Sequence, residues 1–546
     1  MAIASFGLAW RSHLNLHRFP VFCARKQPNG ERIPMQVRYR KSTAAVEPDA
    51  DPASFKGKNE KGKVSVSSRR VDKDWNEPEW KKFNSKELGI KMSSISKPTL
   101  FVLSGLRKKG YDVYLVGGCV RDLILKRTPK DFDIITNAEL KEVKKTFLQC
   151  EIVGKRFPIC HVHVNDTILE VSSFSTCGRQ SSSSTKYEEN FKKPPSCSRH
   201  DYIRWRNCLQ RDFTINGLMF DPYTKTVYDY MGGVADIRKA KVRTVIPANI
   251  SFVEDCARIL RGIRIAARLG FRFTKDIALS VKGLGYSVRR LDKGRILMEM
   301  NYMLAFGSSE ASVRLLWRFG LLEMLLPIQA SYFASQGFRR RDERSNMLLS
   351  LFTNLDKFVA PNQPCDTSLW IAILAFHKAL DDQPQDPLVV AAFALAVDNG
   401  GCLWEAVKSA RKITQPHDRK FHEILEPVDM RSKIALVDQV VDLAASVKIV
   451  LRKMTDRDYV SQAMIKFPKA PRSDLVFIPM GLLQRVYKIF DCIERDMGRG
   501  SVSASKIRKR FDYESMALGN LPDVQHLFAK VVLDTVYPAN RKDNII

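Results

Sequence analysis

The feature that most constrains the fold is a change in the spacing of apolar residues near residue 249. Before this point, stretches with alternating apolar residues, such as Tyr111, Val113 and Leu115, are interleaved with helical spacing at 120–125. Alternation is the period of a β-strand, whereas spacings of three and four are typical of a helix. After about Asn249 the strand signals fade and helical spacing remains. The pattern predicts an α+β protein, with a mixed α/β domain followed by helices.

The same pattern predicts the positions of individual elements and of domain boundaries. Further strands are expected at 151–153, 161–164 and 168–174, and long helices at 252–269, 295–305 and 313–326. With 546 residues, the chain is long enough for several domains. The predicted divisions are a leader at 1–50, a disordered linker at 51–95, a catalytic-type α/β domain at 96–248, a helical region at 249–335, and a helical C-terminal region of unknown role at 336–546.

The first fifty residues have the composition of an organellar transit peptide. They contain six arginines and no acidic residue before Glu31. Such an Arg-rich, acid-poor segment is typical of import signals, and the Arg content favours a mitochondrion over a plastid, which is the alternative. A disordered basic tail without a targeting role is a second alternative. The segment 51–95 that follows is polar and charged, as expected of a linker.

The charge balance favours a polyanionic partner. Lys and Arg number 89 against 59 Asp and Glu, which gives a formal net charge of +30. Nucleic acid is the partner that this excess favours, with a merely solvated basic surface or a targeting bias as the alternative. No apolar run approaches the roughly 18 residues of a membrane span. The eleven cysteines form no C-x-x-C pair, which predicts reduced thiols rather than disulfides or zinc.

Two glycines separate a predicted strand from a predicted helix at Gly117 and Gly118. Glycines at such a junction let backbone amides approach a phosphate, and the start of a helix favours an anion. Arg121 lies one turn into that helix, within reach of the same anion. A plain turn before a helix is the alternative interpretation.

An Asp-x-Asp pair begins the next predicted strand. Asp131 and Asp133 flank Phe132, so strand geometry puts both carboxylates on one face and the ring in the core. Magnesium prefers oxygen ligands and is commonly held by one or two carboxylates together with substrate phosphates. The pair therefore suggests phosphoryl transfer, with a solvent-facing pair on an edge strand as the alternative. Glu170 points away from the core in another predicted strand and is a candidate third acid.

Two later clusters add polar side chains. Arg211, Asp212 and Asn216 could contact phosphate, metal or ribose, or could equally form a turn and a cap. In the predicted helix 252–269, Ser251 and Glu254 have the spacing of a capping box. Three further side chains share one face of that helix at i, i+3 spacing: Asp255, Arg258 and Arg261. An acid beside a guanidinium can bond to the edge of a base, but an intrahelical salt bridge is the simpler alternative.

In this order, the four clusters resemble the class II nucleotidyltransferase family, which comprises tRNA CCA-adding enzymes and bacterial-type poly(A) polymerases. The resemblance covers roughly residues 96–330. It implies a head domain with a mixed, about five-stranded sheet, followed by helical neck and body domains.

The resemblance also implies roles for individual residues. Gly117, Gly118 and Arg121 would bind the triphosphate, and Asp131 and Asp133 would hold Mg²⁺, with Mn²⁺ as an alternative. Asp212 would complete the acidic centre or bind ribose, and Asp255 with Arg258 would select the base. Further contacts to the nucleotide would come from Arg211, Asn216 and Arg261.

The implied activity is template-independent addition of nucleotides to RNA 3′ ends, with mRNA fragments or tRNA as substrates. The stretch 152–162 and the sequence from Gly294 to Leu326 look like bacterial poly(A) polymerases, which use ATP. A CCA-adding enzyme, which would also use CTP, is the alternative. A catalytically silent RNA-binding protein of the same fold is a third interpretation, against which the intact Asp131 and Asp133 argue.

Two positions depart from the family pattern. Gln210 stands where an arginine is expected before Arg211, and Ser175 follows Phe174 where an arginine is expected. Neither change removes a predicted metal ligand. The Ser-rich stretch 176–200 is expected to be a mobile insertion.

Overall fold

The structure is a computed structural model that describes residues 80–154, 158–176, 197–427, 432–493 and 512–538. The predicted leader at 1–50 lies outside the described residues, as do most of the linker and most of the Ser-rich insertion. The strands within the described ranges are β1 (Lys81–Asn84), β2 (Val113–Val116), β3 (Asp133–Thr136), β4 (Cys150–Val153), β5 (Ile159–Val164), β6 (Thr167–Ser173), β7 (Leu218–Asp221), β8 (Thr226–Asp229), β9 (Lys241–Val242) and β10 (Arg272–Phe273).

Helices are interspersed with these strands and make up most of the chain after residue 247. The helices up to residue 335 are α1 (Lys97–Lys108), α2 (Gly118–Ile124), α3 (Leu140–Thr146), α4 (Arg199–Leu209), α5 (Gly233–Arg238), α6 (Ala248–Glu254), α7 (Ala257–Leu269), α8 (Lys275–Leu284), α9 (Lys293–Leu304), α10 (Ser309–Arg318), α11 (Leu322–Leu325) and α12 (Pro327–Ser335). Those that follow are α13 (Met347–Phe358), α14 (Thr367–Asp382), α15 (Pro387–Asp398), α16 (Leu403–Ala410), α17 (Lys433–Lys453), α18 (Arg457–Gln462), α19 (Met480–Phe490), α20 (Tyr513–Ala517) and α21 (Leu521–Val536).

Eight strands form one mixed sheet in the order β1-β8-β7-β2-β3-β6-β5-β4. Only the β3–β6 pair within this sheet is parallel. The expected α+β class is therefore confirmed, but the expected five strands are too few. The additional strands β7 and β8 form an antiparallel hairpin beside β2. Leu218–Asp221 is buried along its whole length, so it lacks the polar alternation from which a strand is predicted.

The folded domain begins before the predicted boundary at Ser96. Strand β1 pairs with β8, with Lys81 opposite Asp229, and Leu88 and Ile90 that follow it are buried. The prediction of a disordered linker up to residue 95 is thus wrong for residues 80–95. Its polar composition was misleading because an edge strand buries few side chains.

The sheet is covered on both faces, which produces two apolar clusters. The first core lies against α1, α2 and α3 and continues into the helical part of the chain, and it contains Leu115 and Ile134. The second core lies on the opposite face, beneath α4, and contains Val116 and Ile135. Neighbouring residues of one strand thus point to opposite cores, as strand geometry requires.

The helical prediction for the rest of the chain is confirmed in type but not in every boundary. Helix α9 matches the expected 295–305, whereas the expected helix 313–326 is divided at Gly320, whose φ is +74°. In the C-terminal region, α14, α15, α19 and α21 meet around the rings of Phe376, Phe393, Phe490 and Phe528, the first three stacked in sequence and the last packed edge-on against them. The nine cysteines within the described ranges are free thiols. None of the described helices is long and apolar enough to cross a membrane.

Candidate active site

Three carboxylates lie together on the face of the sheet that carries the second core. Asp133 opens β3 and shares a face with Ile135, and the parallel register of Ile134 with Val171 places Glu170 beside it on β6. Asp131 precedes β3 and lines the same cleft as Asp133. The position of Glu170, which the sequence offered only as a candidate third acid, follows from this register.

The three acids are electrostatically unfavourable as they stand. Burial raises the pKa of Asp133 to about 6; Asp131 adds to the shift, whereas Arg211 opposes it. Burial raises the pKa of Glu170 to about 8, and Asp133 and Asp131 contribute further. The walls of the cleft also raise the pKa of Asp131, although Lys130 and Arg268 act in the opposite direction. Such a group of mutually repelling acids is stabilised by a cation.

Gly117 joins β2 to α2 directly beside these acids. Its φ is +80°, a conformation that other residues rarely adopt. A Cβ atom there would lie 3.0 Å from Nη1 of Arg211 and 3.2 Å from Oδ2 of Asp133. The backbone at Gly117 therefore passes close to both an acidic and a basic side chain of the cleft. At Gly118 a Cβ atom would lie 3.4 Å from Nη2 of Arg121.

A chain of hydrogen bonds crosses the floor of the cleft. Arg121 donates to Oδ1 of Asn216 at 2.6 Å, and Nδ2 of Asn216 donates to Asp212 at 3.1 Å. Nη1 of Arg261 on α7 donates to the other Asp212 oxygen at 3.0 Å. Asp122 fixes the far side of Arg121 at 2.8 Å. The chain connects residues of α2, of the turn after α4 and of α7.

Asp212 has the electrostatics of a structural ion-pair partner. It is 2% exposed, and its oxygens accept from Asn216, Arg261 and the Phe213 amide. Burial alone would raise its pKa, but the charge of Arg261 and these hydrogen bonds hold the pKa at about 2. The acid that instead joins Asp131 and Asp133 electrostatically is Glu170.

The predicted helix 252–269 is two helices. Helix α6 ends at Glu254 and α7 begins at Ala257, so Ser251 lies inside α6 and the predicted capping box does not form. At the break, Oδ1 of Asp255 accepts from the Ala257 amide, the first of α7, at 3.0 Å. The prediction failed because Ser251 and Glu254 have the spacing of a capping box although both lie inside a helix that begins at Ala248.

The side chains of Asp255 and Arg258 do not bond to each other, although the Arg258 amide donates to the Asp255 carbonyl at 3.1 Å. Nη1 of Arg258 donates to Oγ of Ser251 at 2.8 Å and lies 3.3 Å from Oε2 of Glu254. Oδ2 of Asp255 is buried without a hydrogen-bond partner among the described residues.

Nine of the predicted site residues line the cleft, namely Gly117, Gly118, Arg121, Asp131, Asp133, Arg211, Asp212, Asn216 and Arg261, whereas Asp255 and Arg258 do not.

A buried acid that the sequence analysis did not identify bonds to an arginine of α7. Glu299 on α9 is 1% exposed and accepts from Arg264 at 2.9 Å and from Arg295 at 3.0 Å. Burial alone would raise its pKa, but Arg264, Arg261 and Arg295 hold the pKa below its usual range. A spacing of 35 residues between Arg264 and Glu299 gives no local signal by which the pair could have been found.

The chain is similar in sequence to known protein families. Residues 113–243 match the family described as the Poly A polymerase head domain, and residues 270–333 match the one described as "Probable RNA and SrmB-binding site of polymerase A". A Bacillus stearothermophilus CCA-adding enzyme solved with CTP aligns at 22% identity and a TM-score of 0.41, over 72% of this chain and 92% of that one.

Curated relatives include both kinds of enzyme. Poly(A) polymerase I of Salmonella typhi is 34% identical over 57% of this chain and 67% of its own length, and that of Haemophilus influenzae is 30% identical over 55% and 64%. A CCA-adding enzyme of Geobacillus kaustophilus is 30% identical over 52% of this chain and 70% of its own. The match thus spans less than two thirds of some of these relatives. At this similarity and with these motifs in place, the chain belongs to the family of bacterial-type poly(A) polymerases and CCA-adding enzymes.

Proposed function

We propose that the protein is a template-independent RNA adenylyltransferase that adds AMP units from ATP to RNA 3′ ends. The observation that carries this proposal is the placement of Asp131 and Asp133, with Glu170 beside Asp133 on β6, at a cleft that is also lined by arginines. Such a cleft suits a nucleoside triphosphate, whose phosphates would bind the arginines directly and the acids through a divalent cation.

The donor set fits a divalent cation, and Mg²⁺ in particular. The acids are oxygen ligands whose raised pKa values reflect an unneutralised cluster. Within the described residues, no group of three His, Cys, Asp or Glu side chains is preformed to hold a metal by itself. Magnesium suits such a site because it commonly takes one or two carboxylates and completes its shell with phosphates and water. When bound, it would activate the RNA 3′ hydroxyl and neutralise charge on the departing pyrophosphate.

The protein's own contribution would be to position the triphosphate. Arg121 is held from two sides by Asp122 and Asn216, so its guanidinium is presented to the cleft in a fixed orientation. Arg211 faces Asp133 and makes only long hydrogen bonds, of 3.5 Å, to Asn216 and Asn207. It is therefore available to a phosphate oxygen. Preorganised donors of this kind bind a transferring phosphoryl group without reorganisation.

Base choice would depend on the break between α6 and α7. Oδ2 of Asp255 is buried and has no partner within the described ranges, so it can accept from an exocyclic amino group. Arg258 would have to leave Ser251 to donate to a ring nitrogen beside it. Adenine and cytosine both offer this pattern, whereas guanine and uracil do not. ATP is accordingly the expected substrate, and CTP remains compatible with the site.

CCA addition to tRNA is the second candidate function. It is supported by the similarity to the Geobacillus kaustophilus enzyme, 70% of whose length is matched, against 67% for the poly(A) polymerase I of Salmonella typhi. RNA as the acceptor is supported for both functions by the match of residues 270–333 to an RNA-binding family and by the net charge of +30.

The decisive experiment incubates the full-length protein with each NTP alone and with two primers, an unstructured RNA and a tRNA lacking its terminal CCA. Poly(A) addition predicts a long tail on the unstructured primer with ATP alone. A stop after three additions on the tRNA, with a requirement for CTP first, would establish the CCA-adding function instead. Absence of extension on both primers, with Asp131→Ala protein as the blank, would contradict both.

A further inference from the structure

Three arginines lie along one face of α7, and within the described residues two of them have an acidic partner. Arg261, Arg264 and Arg268 are spaced at i, i+3 and i+7, which places them on the same side of the helix. Arg261 is paired with Asp212 at 3.0 Å, and Arg264 with Glu299 at 2.9 Å. All three line the cleft. Arg268 therefore differs from Arg261 and Arg264 in having no described ion-pair partner.

Arg268 has more cations than acids near it, namely Arg264, Arg121 and Arg127 against Asp122 and Asp131. No described carboxylate is within ion-pair distance of its guanidinium, and its Nε atom is buried without a hydrogen-bond partner. Burial lowers the pKa of Arg268 to about 10, and repulsion from Arg264 and Arg121 adds to the shift. Asp122 acts in the opposite direction, but it is already bonded to Arg121 at 2.8 Å. An arginine in such surroundings destabilises the unliganded protein.

Lys130 lies at the same place from the side of the sheet. Its Nζ atom is 5.2 Å from the centre of the Phe306 ring, and Cζ of Arg268 is 5.8 Å from the same centre. Both cations thus lie near the same aromatic ring, which attracts them through its electron-rich face but carries no net negative charge. Burial lowers the pKa of Lys130, with Asp131 opposing the shift and Arg268 adding to it. Lys130 and Arg268 form a cationic pair next to the outermost acid of the cleft.

The position of this pair indicates which part of a nucleotide it would contact. Asp133, the inner acid, is influenced by Arg211, whereas Asp131 is influenced by Lys130 and Arg268. Arg121 and the pair line the same cleft as Asp131 and Asp133, so a triphosphate whose inner phosphates were bound at the acids and Arg121 would place its terminal phosphate at the pair. A terminal phosphate carries two ionisable oxygens and is the most highly charged group of ATP, so it suits two adjacent cations.

We propose that Arg268, together with Lys130, binds the terminal phosphate of the nucleotide and so distinguishes a triphosphate from a diphosphate. This inference rests on the proposed function for the identity of the ligand, but it concerns binding rather than catalysis. Without Arg268, ATP would keep the contacts to its inner phosphates and lose the contact that ADP never makes. A protein without Arg268 is therefore expected to lose its preference for ATP over ADP but still to bind both nucleotides.

The test measures binding of ATP and ADP to the full-length protein by calorimetry, with magnesium and without RNA, so that no transfer occurs. Wild-type protein should bind ATP about tenfold or more tightly than ADP. Arg268→Gln should weaken ATP binding by about tenfold and change ADP binding by less than about threefold. Arg268→Lys should restore part of the preference, because it keeps the charge but not the planar fork.

A matched control is Arg272→Gln, which removes an exposed arginine of β10 outside the cleft lining and should leave both affinities unchanged. Thermal melting provides a second readout. Because Arg268 is repelled by its neighbours, Arg268→Gln without nucleotide should melt at the same temperature as the wild type or higher. A merely structural role would instead lower the melting temperature.

Each outcome supports or overturns the inference. Equal affinity of the wild type for ATP and ADP, or a preference that survives Arg268→Gln, would overturn it. A preference for ATP that disappears in Arg268→Gln would support it even if the protein failed to extend RNA, in which case only the proposed function would be wrong. Failure of the wild type to bind either nucleotide would overturn both.

Discussion

Asp212 and Asp133 are aspartates of the same cleft, yet replacing each of them by asparagine should change the stability in opposite directions. Asp212 is paired with Arg261 at 3.0 Å and accepts two further hydrogen bonds. Asp133 has other acids as neighbours, and only Arg211 offsets them. The comparison therefore tests whether Asp212 belongs to the acidic centre, as the sequence resemblance implied, or holds α7 in place.

The magnitudes follow from the two pKa values. Asp212 titrates at about 2 in the folded protein, against an ordinary value of 3.8. At about 1.4 kcal/mol per pKa unit, its ionised form contributes about 2 kcal/mol of stability. Leaving the buried Arg261 without its partner would cost about 3–5 kcal/mol by analogy with broken buried pairs. Because Glu299 also lies near Arg261, we expect Asp212→Asn to lose about 2–4 kcal/mol.

The charge of Asp133 contributes to the stability with the opposite sign. Its pKa is raised from 3.8 to about 6, so at pH 7 its charged form destabilises the metal-free protein by up to about 3 kcal/mol. Asp133→Asn removes this charge without changing the shape of the side chain. It should therefore raise the stability of the metal-free protein, by at most about that amount.

The pH dependence has a defined direction for Asp212. Because its folded pKa is depressed, its contribution is fully present above about pH 4 and is lost as the pH falls towards 2. The free energy of unfolding measured at pH 7 consequently includes the full contribution of ionised Asp212. The assay is thermal and urea unfolding of the wild type and both variants in EDTA. An Asp212→Asn protein that is inactive but as stable as the wild type, or more stable, would refute the reasoning and restore Asp212 to the acidic centre.

Four further predictions concern the site and the leader. Asp131→Ala should lower nucleotide addition by orders of magnitude without loss of stability, and near wild-type activity in an extension assay would contradict the assignment. Gly117→Ala should lose about 1 kcal/mol or more of stability, measured by urea unfolding, because its φ is +80° and its Cβ would approach Arg211. Arg258→Ala should loosen the choice between NTPs more than it raises the KM for ATP, and unchanged selectivity would count against a role in base choice. Residues 1–50 fused to a fluorescent reporter should direct it to mitochondria, and a cytosolic reporter would remove that proposal.

The parts of the fold that were predictable from sequence are those with a strong local pattern. The junction of β2, the glycines and α2 was found because a change of period and two adjacent glycines coincide there. Asp131 and Asp133 were placed in one cleft because strand alternation fixes the side of each residue. Neither inference needed a partner distant in sequence.

The parts that were missed depend on distant contacts or on competing local signals. Pairing with β8 turns the polar Lys81–Asn84 into a strand, and nothing within those four residues indicates it. The break at Asp255 was missed because Ser251 and Glu254 imitate a capping box, whereas the carboxylate that bonds to the first amide of α7 is that of Asp255. Glu299 was missed because its arginine partners lie on other turns and another helix.

Strand β1 has a practical consequence for any shortened form of the protein. It covers the outer edge of β8, and its anchor includes the ring of Trp80, 5.0 Å from that of Tyr230, and an ion pair between Lys82 and Asp201 at 3.2 Å. A protein that starts at Ser96, where the sequence alone would place the boundary, would leave the backbone N–H and C=O groups of β8 open to other molecules. Unprotected edges of this kind promote intermolecular strand pairing and aggregation. We therefore expect a shortened protein to remain soluble only if it begins on the N-terminal side of Trp80.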